Sequence, residues 1–383
     1  MDQLERKINR LRTKRRLIKQ ITIYKALNRK RTYSQPHASF KLNGIFYDNL
    51  GLSTLADRYI KVGEGFQEPI GLFIHQWIDS NSDITLQTSG STGTPKKILM
   101  SKQAMVNSAI ATGDYFKLRP GNSALSCLPY SYIAAKMMFV RAYVLGLELE
   151  VVEPSSTPLK SVSKSYDFCA MVPLQLENSI QHLHQIKTLI VGGAKLSNTL
   201  RIKLNNSSAN CYETFGMTET VSHIAVKKIR STLSFFEVFP SVSIKVDSRS
   251  CLSIEAPELV STPIQTNDIV KLISKTSFEW IGRYDSIINS GGIKISPEQL
   301  EQQLEGFIEE RFFVSSLKDD KLGEVVVMVI ERLSPYDTLN FDTIDPIKRP
   351  KHVYYIDQFK ETLSGKIKRQ ETLLQIKPAS PPY

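Results

Sequence analysis

Thr88-Ser89-Gly90-Ser91-Thr92-Gly93-Thr94-Pro95-Lys96 sets two glycines and a lysine among hydroxyl side chains, between the apolar runs 84–87 and 97–100. Glycine lets a backbone turn tightly and approach an anion, and consecutive N–H groups and hydroxyls can then donate to it. The common nucleotide loop, GxxxxGK[ST], needs a second glycine and opens directly into a helix. Here Pro95 stands where that glycine would be, and residues 97–100 read as a strand. Ser101 then caps a helix starting near Lys102. The stretch therefore reads as a loop joining two strands. Runs of this composition also serve as solvated linkers; the tight apolar flanks favour a clamp for phosphate oxygens.

Outward from that loop the chain alternates. After a short opening segment (40–47, then a helix over 52–62), strands are predicted at 124–128, 148–152, 167–172, 188–191 and 209–213. Helices fall between them at 133–145, 174–184 and 197–204. Such alternation predicts an α/β fold with crossover units, a mainly parallel layered sheet, and ligands at the loops beyond the strand C-termini. From 238 to 282 short strands at 242–246, 251–256, 269–273 and 278–281 predict a small antiparallel β subdomain. Beyond Arg283 the pattern is α+β, with a helix opened by Pro297 and strands at 312–315, 324–330 and 352–356. The expected organisation is a basic extension (1–31), a large N-terminal domain (32–284), a small C-terminal domain (285–376) and a disordered tail (377–383).

The net charge of +11 looks like a nucleic-acid signal until it is located. Residues 1–31 hold twelve Lys/Arg against Asp2 and Glu5, so the other 352 residues carry about +1 (11 less 10). No nucleic-acid partner is expected for that body. In the arm, Leu4, Ile8, Leu11, Ile18 and Ile21 share one helical stripe, which suits a peripheral acidic surface or RNA; a dispensable extension is the favoured reading. At 383 residues the chain is too long for one core. No apolar run approaches the roughly 20 residues that span a bilayer, and no signal peptide is visible, so a cytoplasmic protein is expected. Cys127, Cys169, Cys211 and Cys251 never approach CxxC spacing, which predicts free thiols. Three lie in apolar contexts and read as buried; Cys251, in a polar stretch, reads as exposed.

Four further clusters gain meaning if the first loop holds a nucleotide. Val191-Gly192-Gly193-Ala194 runs a strand into bare backbone, against which a flat group can lie. Tyr212-Glu213-Thr214-Phe215-Gly216-Met217-Thr218-Glu219 presents aromatics, a hydroxyl and a carboxylate at the end of the next strand. Glu219 is the candidate Mg²⁺ ligand, because hard cations bridge carboxylates to phosphate oxygens. Thr266-Asn267-Asp268 reads as a turn whose carboxylate could accept both ribose hydroxyls. Leu363-Ser364-Gly365-Lys366 places a lysine on a polar loop. Each alone has an ordinary reading as a turn, surface charge or basic loop.

In this order the pieces resemble the adenylate-forming superfamily of acyl-CoA synthetases, luciferases and peptide-synthetase adenylation domains, over about residues 33–376. The resemblance implies ATP/AMP contacts from Thr88, Ser89, Gly90, Ser91, Thr92, Gly93 and Lys96, and from Gly192, Gly193 and Ala194. It implies that Phe215 and Gly216 flank adenine, that Thr218 meets the phosphate, that Glu219 holds Mg²⁺ and that Asp268 reads the ribose. It places Arg283 near the ribose, makes Asp285 the hinge of a mobile C-terminal domain, and makes Lys366 the catalytic lysine. Gly291 and Gly292 would line the coenzyme A tunnel. Asn267 departs from the family's usual glycine; asparagine tolerates the same left-handed backbone.

The chemistry this implies is ATP-driven joining of a small carboxylic acid to coenzyme A through an acyl-adenylate. The short segment ahead of the phosphate loop, Tyr132-Ile133-Ala134-Ala135-Lys136-Met137-Met138, Met171–Asn178 and Thr218–His223 are similar to short o-succinylbenzoate–CoA ligases. That acid has two carboxylates, so its pocket needs apolar walls and a cation. Lys136 and Arg141 are the candidates, Lys136 favoured, with Tyr132 and His223 lining. Snorkelling of both cations to solvent is the competing reading. Other aryl or short-chain acids, a carrier-protein acceptor, a nucleotide-binding scaffold and an RNA-associated protein are the remaining alternatives, and a homodimer is left open.

Overall fold

The computed structural model describes residues 32–87, 97–229, 235–336, 338–362 and 367–376. These fall into two compact units: one holds the described residues up to 154 together with 166–168, the other holds 155–165 and everything from 169 onward. No described helix is long and apolar enough to cross a membrane.

In the first unit, β1 (Lys41–Leu42) leads to helices α1 (Asn49–Val62) and α2 (Glu68–Ile78). Asp48 caps α1 by accepting the Gly51 N–H at 2.8 Å, and a proline in the first turn of α2 needs no donor. The apolar face of α2 buries Ile70, Phe73, Ile74 and Trp77. Strands β2 (Asp83–Gln87) and β3 (Lys97–Ser101) pair antiparallel, with Gln87 opposite Lys97. The two ends of the phosphate-loop stretch are thus held side by side, as a loop between strands requires. Ser101 caps α3 (Lys102–Phe116) as expected.

Strand β4 (Ser123–Ser126), helix α4 (Ile133–Leu145) and strand β5 (Glu148–Val151) form a crossover unit, and β1 and β4 both run parallel to β5. Helix α4 ends at Gly146 in the left-handed conformation, where any side chain would strike the His37 ring. It is buried almost all round, and Phe139 and Tyr143 on it join Phe40, Phe73 and Trp77 in an aromatic core. The burial explains why the run 133–145 carries no clear polar face. Strand β6 (Tyr166–Met171) is divided between the units after Phe168.

In the second unit, α5 (Pro173–Asn178) and a 3₁₀ turn (Ile180–Gln185) replace the single helix expected over 174–184, with Ser179 leaving the helical region between them. Strand β7 (Ile186–Val191), helix α6 (Asn198–Lys203) and strand β8 (Asn210–Gly216) make another parallel crossover. Then the chain turns back. Strand β9 (His223–Lys228) pairs antiparallel with β8, and β10 (Phe236–Val238) with β9. Strands β11 (Ser243–Val246), β12 (Cys251–Glu255), β13 (Ile264–Ser274) and β14 (Ser277–Arg283) are antiparallel neighbours. They form the expected antiparallel β region, and β14 pairs with β10, so its sheet is continuous with β7–β10. Cys251, expected at the surface, is fully buried at the start of β12, where the pairing with β13 shifts register between Cys251 and Ser253 and the simple alternation is broken. The other three cysteines are buried as expected.

A second, smaller sheet follows. Strands β15 (Ile288–Ser290) and β16 (Ile293–Ile295) form a hairpin, α7 (Pro297–Leu304) follows it, and β17 (Phe312–Asp319), β18 (Gly323–Glu331) and β19 (His352–Ile356) complete the sheet. Val326, Met328 and Ile330 alternate with Val329, so one face packs on Leu300 of α7 and the other on Phe359. Helix α8 (Arg369–Leu373) ends the described chain.

Candidate active site

Residues 192–194 and 215–219, expected on the nucleotide side, lie at the C-terminal ends of β7 and β8. Val191 passes into Gly192, whose N–H donates to Met171 O at 3.2 Å. A Cβ on Gly192 would lie 2.4 Å from Thr214 Oγ1, which itself donates to Val191 O at 3.1 Å. The two strand ends are pressed together there, and only glycine fits. Gly193 takes φ +88°, open to glycine and costly for other residues, and Ala194 follows it.

At the end of β8, the Phe215 ring meets Phe278 edge-on with centroids 5.1 Å apart and lies 5.8 Å from Phe236. Gly216 backs onto Ser222, whose carbonyl would be 2.4 Å from an added Cβ. Thr218–Thr220 form one 3₁₀ turn. Thr220 Oγ1 accepts the Met217 N–H at 3.0 Å, and the Ser222 N–H reaches back to Thr220 O at 2.7 Å. Between them Val221 takes φ 68°, ψ −50°, the rare hand of the γ-turn and an outlier for a β-branched residue. Such a conformation costs about 1–3 kcal/mol and persists only where its surroundings enforce it; Val221 is completely buried. The turn leaves Thr218 half-buried and Glu219 exposed at its tip.

Two glutamates six residues apart differ sharply. Glu213 is buried with Arg201 and with Lys227, whose Nζ is 2.8 Å away. Burial alone would raise its carboxyl, but the two cations outweigh that and hold it below the ordinary carboxylate range. Glu219 meets no cation among the described residues.

Asp268 was expected in a turn; it lies inside β13. Thr266 makes this possible, donating from Oγ1 to Leu252 O at 2.8 Å and accepting the Asp268 N–H at 3.0 Å. The side chain is 6% exposed. Arg283 is its cross-strand partner on β14, and Trp280 Nε1 donates to its Oδ1 at 2.9 Å. Arg283 forks onto the carboxylate of Asp285, the expected hinge residue, Nε to Oδ1 at 2.9 Å and Nη2 to Oδ2 at 2.6 Å. That pairing holds Asp285 below its usual range. Gly291 and Gly292 take φ 59° and 84° in the β15–β16 turn, the backbone a two-residue hairpin demands.

The acid-side candidates lie in the first unit, apart from His223. Tyr132 precedes α4, and Lys136 is half-buried one turn into it, with Nζ 5.6 Å above the centre of the Phe73 ring. Burial pushes this ammonium down from its ordinary value, and no carboxylate among the described residues is in ion-pair reach. Arg141 is 2% exposed, between α4 and α3, with Nε 3.4 Å from Thr112 Oγ1; burial pushes it down to about 9. Arg141 does not snorkel to solvent. His223 is buried, its Nδ1 3.2 Å from Ser222 Oγ and its ring edge-on to Phe239.

The expected contacts from Thr88 to Lys96, and Lys366, lie outside the described residues; paired residues bracket both stretches, Gln87 with Lys97 and Glu361 with Ile367. Sequence reasoning missed Trp280, Thr214 and the Val221 turn. Alternation along β14 could have offered Trp280, but the bulge that re-aims it leaves no sequence signal.

Comparison with known proteins bears on the fold and the family. A model of the AMP-binding enzyme family matches residues 64–248. The chain is 25% identical over 336 residues to the 2-succinylbenzoate–CoA ligase of Listeria monocytogenes, spanning 78% of this chain and 71% of the relative. It shares the fold of o-succinylbenzoate coenzyme A synthetase from Bacillus subtilis, solved with ATP and magnesium, at TM-score 0.68 and 16% identity, over 78% of this chain and 74% of that one. With an acyl-CoA synthetase (AMP-forming)/AMP-acid ligase II-like protein from Dyadobacter fermentans it shares 32% identity at TM-score 0.57, over 85% of this chain and 98% of the other. On the strength of that last match and the family model together, the chain belongs to the AMP-binding enzymes, as a member of the AMP-forming acyl-CoA synthetases.

Proposed function

We propose that this chain is an ATP-dependent acid–CoA ligase acting through an acyl-adenylate, and that its acid is o-succinylbenzoate, an intermediate of menaquinone biosynthesis. Lys136 carries the choice of acid. A desolvated ammonium over an aromatic face, with no carboxylate among the described residues in ion-pair reach, suits the second carboxylate of an aromatic diacid. The relatives named 2-succinylbenzoate–CoA ligase support the same reading.

In the first half-reaction a carboxylate oxygen attacks the α-phosphorus of ATP, and the bond to the bridging oxygen of pyrophosphate breaks. Negative charge gathers on phosphate oxygens, and Lys366 with the donors of the Thr88–Lys96 stretch would neutralise it. Glu219 would hold Mg²⁺, which supplies Lewis-acid charge; an exposed carboxylate with no cation partner among the described residues, on a turn fixed by Val221, fits that task. Asp268 would accept the ribose hydroxyls. In the second half-reaction the thiol sulfur of coenzyme A attacks the acyl carbon, AMP leaves with the C–O electron pair, and the thiol proton passes to solvent. Residues 285–376 would turn about Asp285 between the two steps, withdrawing Lys366 and bringing in Gly291 and Gly292.

Pyrophosphate release across a panel of acids, with coenzyme A and then with a phosphopantetheinyl protein as acceptor, tests this. Release strongest with o-succinylbenzoate and coenzyme A supports the assignment; a monoacid that matches or exceeds it overturns the role of Lys136. Lys366→Ala is expected to abolish adenylate formation yet spare thioester formation from preformed acyl-adenylate. Equal loss of both half-reactions contradicts the two-position mechanism.

A further inference from the structure

Asp268 has a partner that no motif marks. The β13–β14 ladder pairs Asp268 with Arg283 and Ile269 with Gly282, then shifts, so that Val270 faces Trp280 rather than Ile281. The extra residue is a β-bulge. In an unbroken ladder, residues three apart on one strand point to opposite faces. The bulge cancels that rule, and Trp280 joins Arg283 on the face that carries Asp268. There its indole N–H meets Asp268 Oδ1 at 2.9 Å. The donor is neutral, rigid and set by only two torsions, on a strand whose neighbour Phe278 is fully buried.

We propose that Trp280 is a positioning residue for the nucleotide: its indole N–H holds the Asp268 carboxylate in the orientation that receives the ribose hydroxyls. This rests on the reading of Asp268 given above. Arg283 faces the carboxylate from across the ladder and would draw an unpinned one toward itself. In the structure two fixed partners oppose that collapse, since Asp285 occupies the Arg283 fork and Trp280 takes Oδ1. The bulge thus serves recognition, and the role lies in binding rather than chemistry.

Steady-state pyrophosphate release with ATP and with 3′-deoxy-ATP tests it, using wild type, Trp280→Phe and Trp280→His. Wild type is expected to prefer ATP. Trp280→Phe keeps an aromatic ring without the donor and is expected to raise KM for ATP about tenfold, the scale of a hydrogen bond to a charged group, with kcat within about twofold. It should lose most of the preference over 3′-deoxy-ATP, because both changes remove the same contact. Trp280→His restores a ring donor and is expected to recover part of the preference. A Phe variant that keeps the wild-type preference, or a His variant no better than Phe, makes Trp280 a packing residue and overturns the proposal. Wild type that does not distinguish the nucleotides removes the ribose assignment of Asp268 itself, a failure separable from the first. Should Trp280→Phe not fold, the His variant decides the matter alone: preference retained supports the donor, and preference lost at normal stability overturns it.

Discussion

Glu213 and Lys136 are both charged groups withdrawn from water, and the molecule treats them in opposite ways. Glu213 has two cations of its own, and its charge is settled within the fold. Lys136 has an aromatic face and no carboxylate among the described residues, which is why we propose that its charge answers to a ligand. A buried charge neutralised by the chain is architecture, and one left open is an invitation to a ligand. The same test separates Glu213 from Glu219, six residues along the same segment.

The largest effect should come from breaking the settled charge. Glu213→Ala leaves Arg201 and Lys227 facing each other in a buried site and is expected to cost about 3–5 kcal/mol, read from urea unfolding. If stability hardly changes, the network is not structural and the contrast fails. Glu219→Gln should do the reverse. Its stability is expected to match wild type, while pyrophosphate release falls by about 10²–10³, the scale of losing one electrostatic contact at developing charge. Lys136→Met comes next. The KM for a diacid should rise by about 10–100-fold, as expected for a lost charge-assisted hydrogen bond, whereas a matching monoacid should be unaffected or improved. Parallel losses for both acids would show that Lys136 shapes the pocket without reading charge.

The smallest effect concerns the Arg283–Asp285 pair at the proposed hinge. Arg283 depresses the Asp285 carboxyl, so the pair's contribution is present above the ordinary carboxylate pKa and is lost as pH falls through the lowered value. Both side chains are more than two-fifths exposed, so solvent screens the pair. Thermal melting from pH 7 down to about 3 should show a modest acid-dependent loss in wild type that is absent in Asp285→Asn. Superimposable profiles would remove the ion pair as a hinge constraint.

The fold was legible where burial follows a simple period. Helix 133–145 and strand 352–356 are found at the expected bounds, because hydrophobic runs between turn residues leave little choice. Asp268 was misread as a turn residue because Thr-Asn-Asp is turn chemistry; the hydroxyl of Thr266, bonded to Leu252 across the sheet, keeps it in the strand. Strand β10 escaped notice because three residues carry no period. The site showed the same split. Glycines and carboxylates announce themselves by type, while Trp280 depends on a one-residue slip in register and Val221 on a backbone strain that no residue type advertises.

Every cysteine of this chain is buried. An enzyme that transfers acyl groups to an external thiol thereby keeps its own sulfurs from intercepting the activated acid. The same concealment has a practical use at the bench. A colorimetric thiol reagent added to the native protein should count only the coenzyme A not yet consumed, against a background near zero. Denaturant should then uncover four further equivalents, so one reagent reports turnover in the first reading and the integrity of the fold in the second.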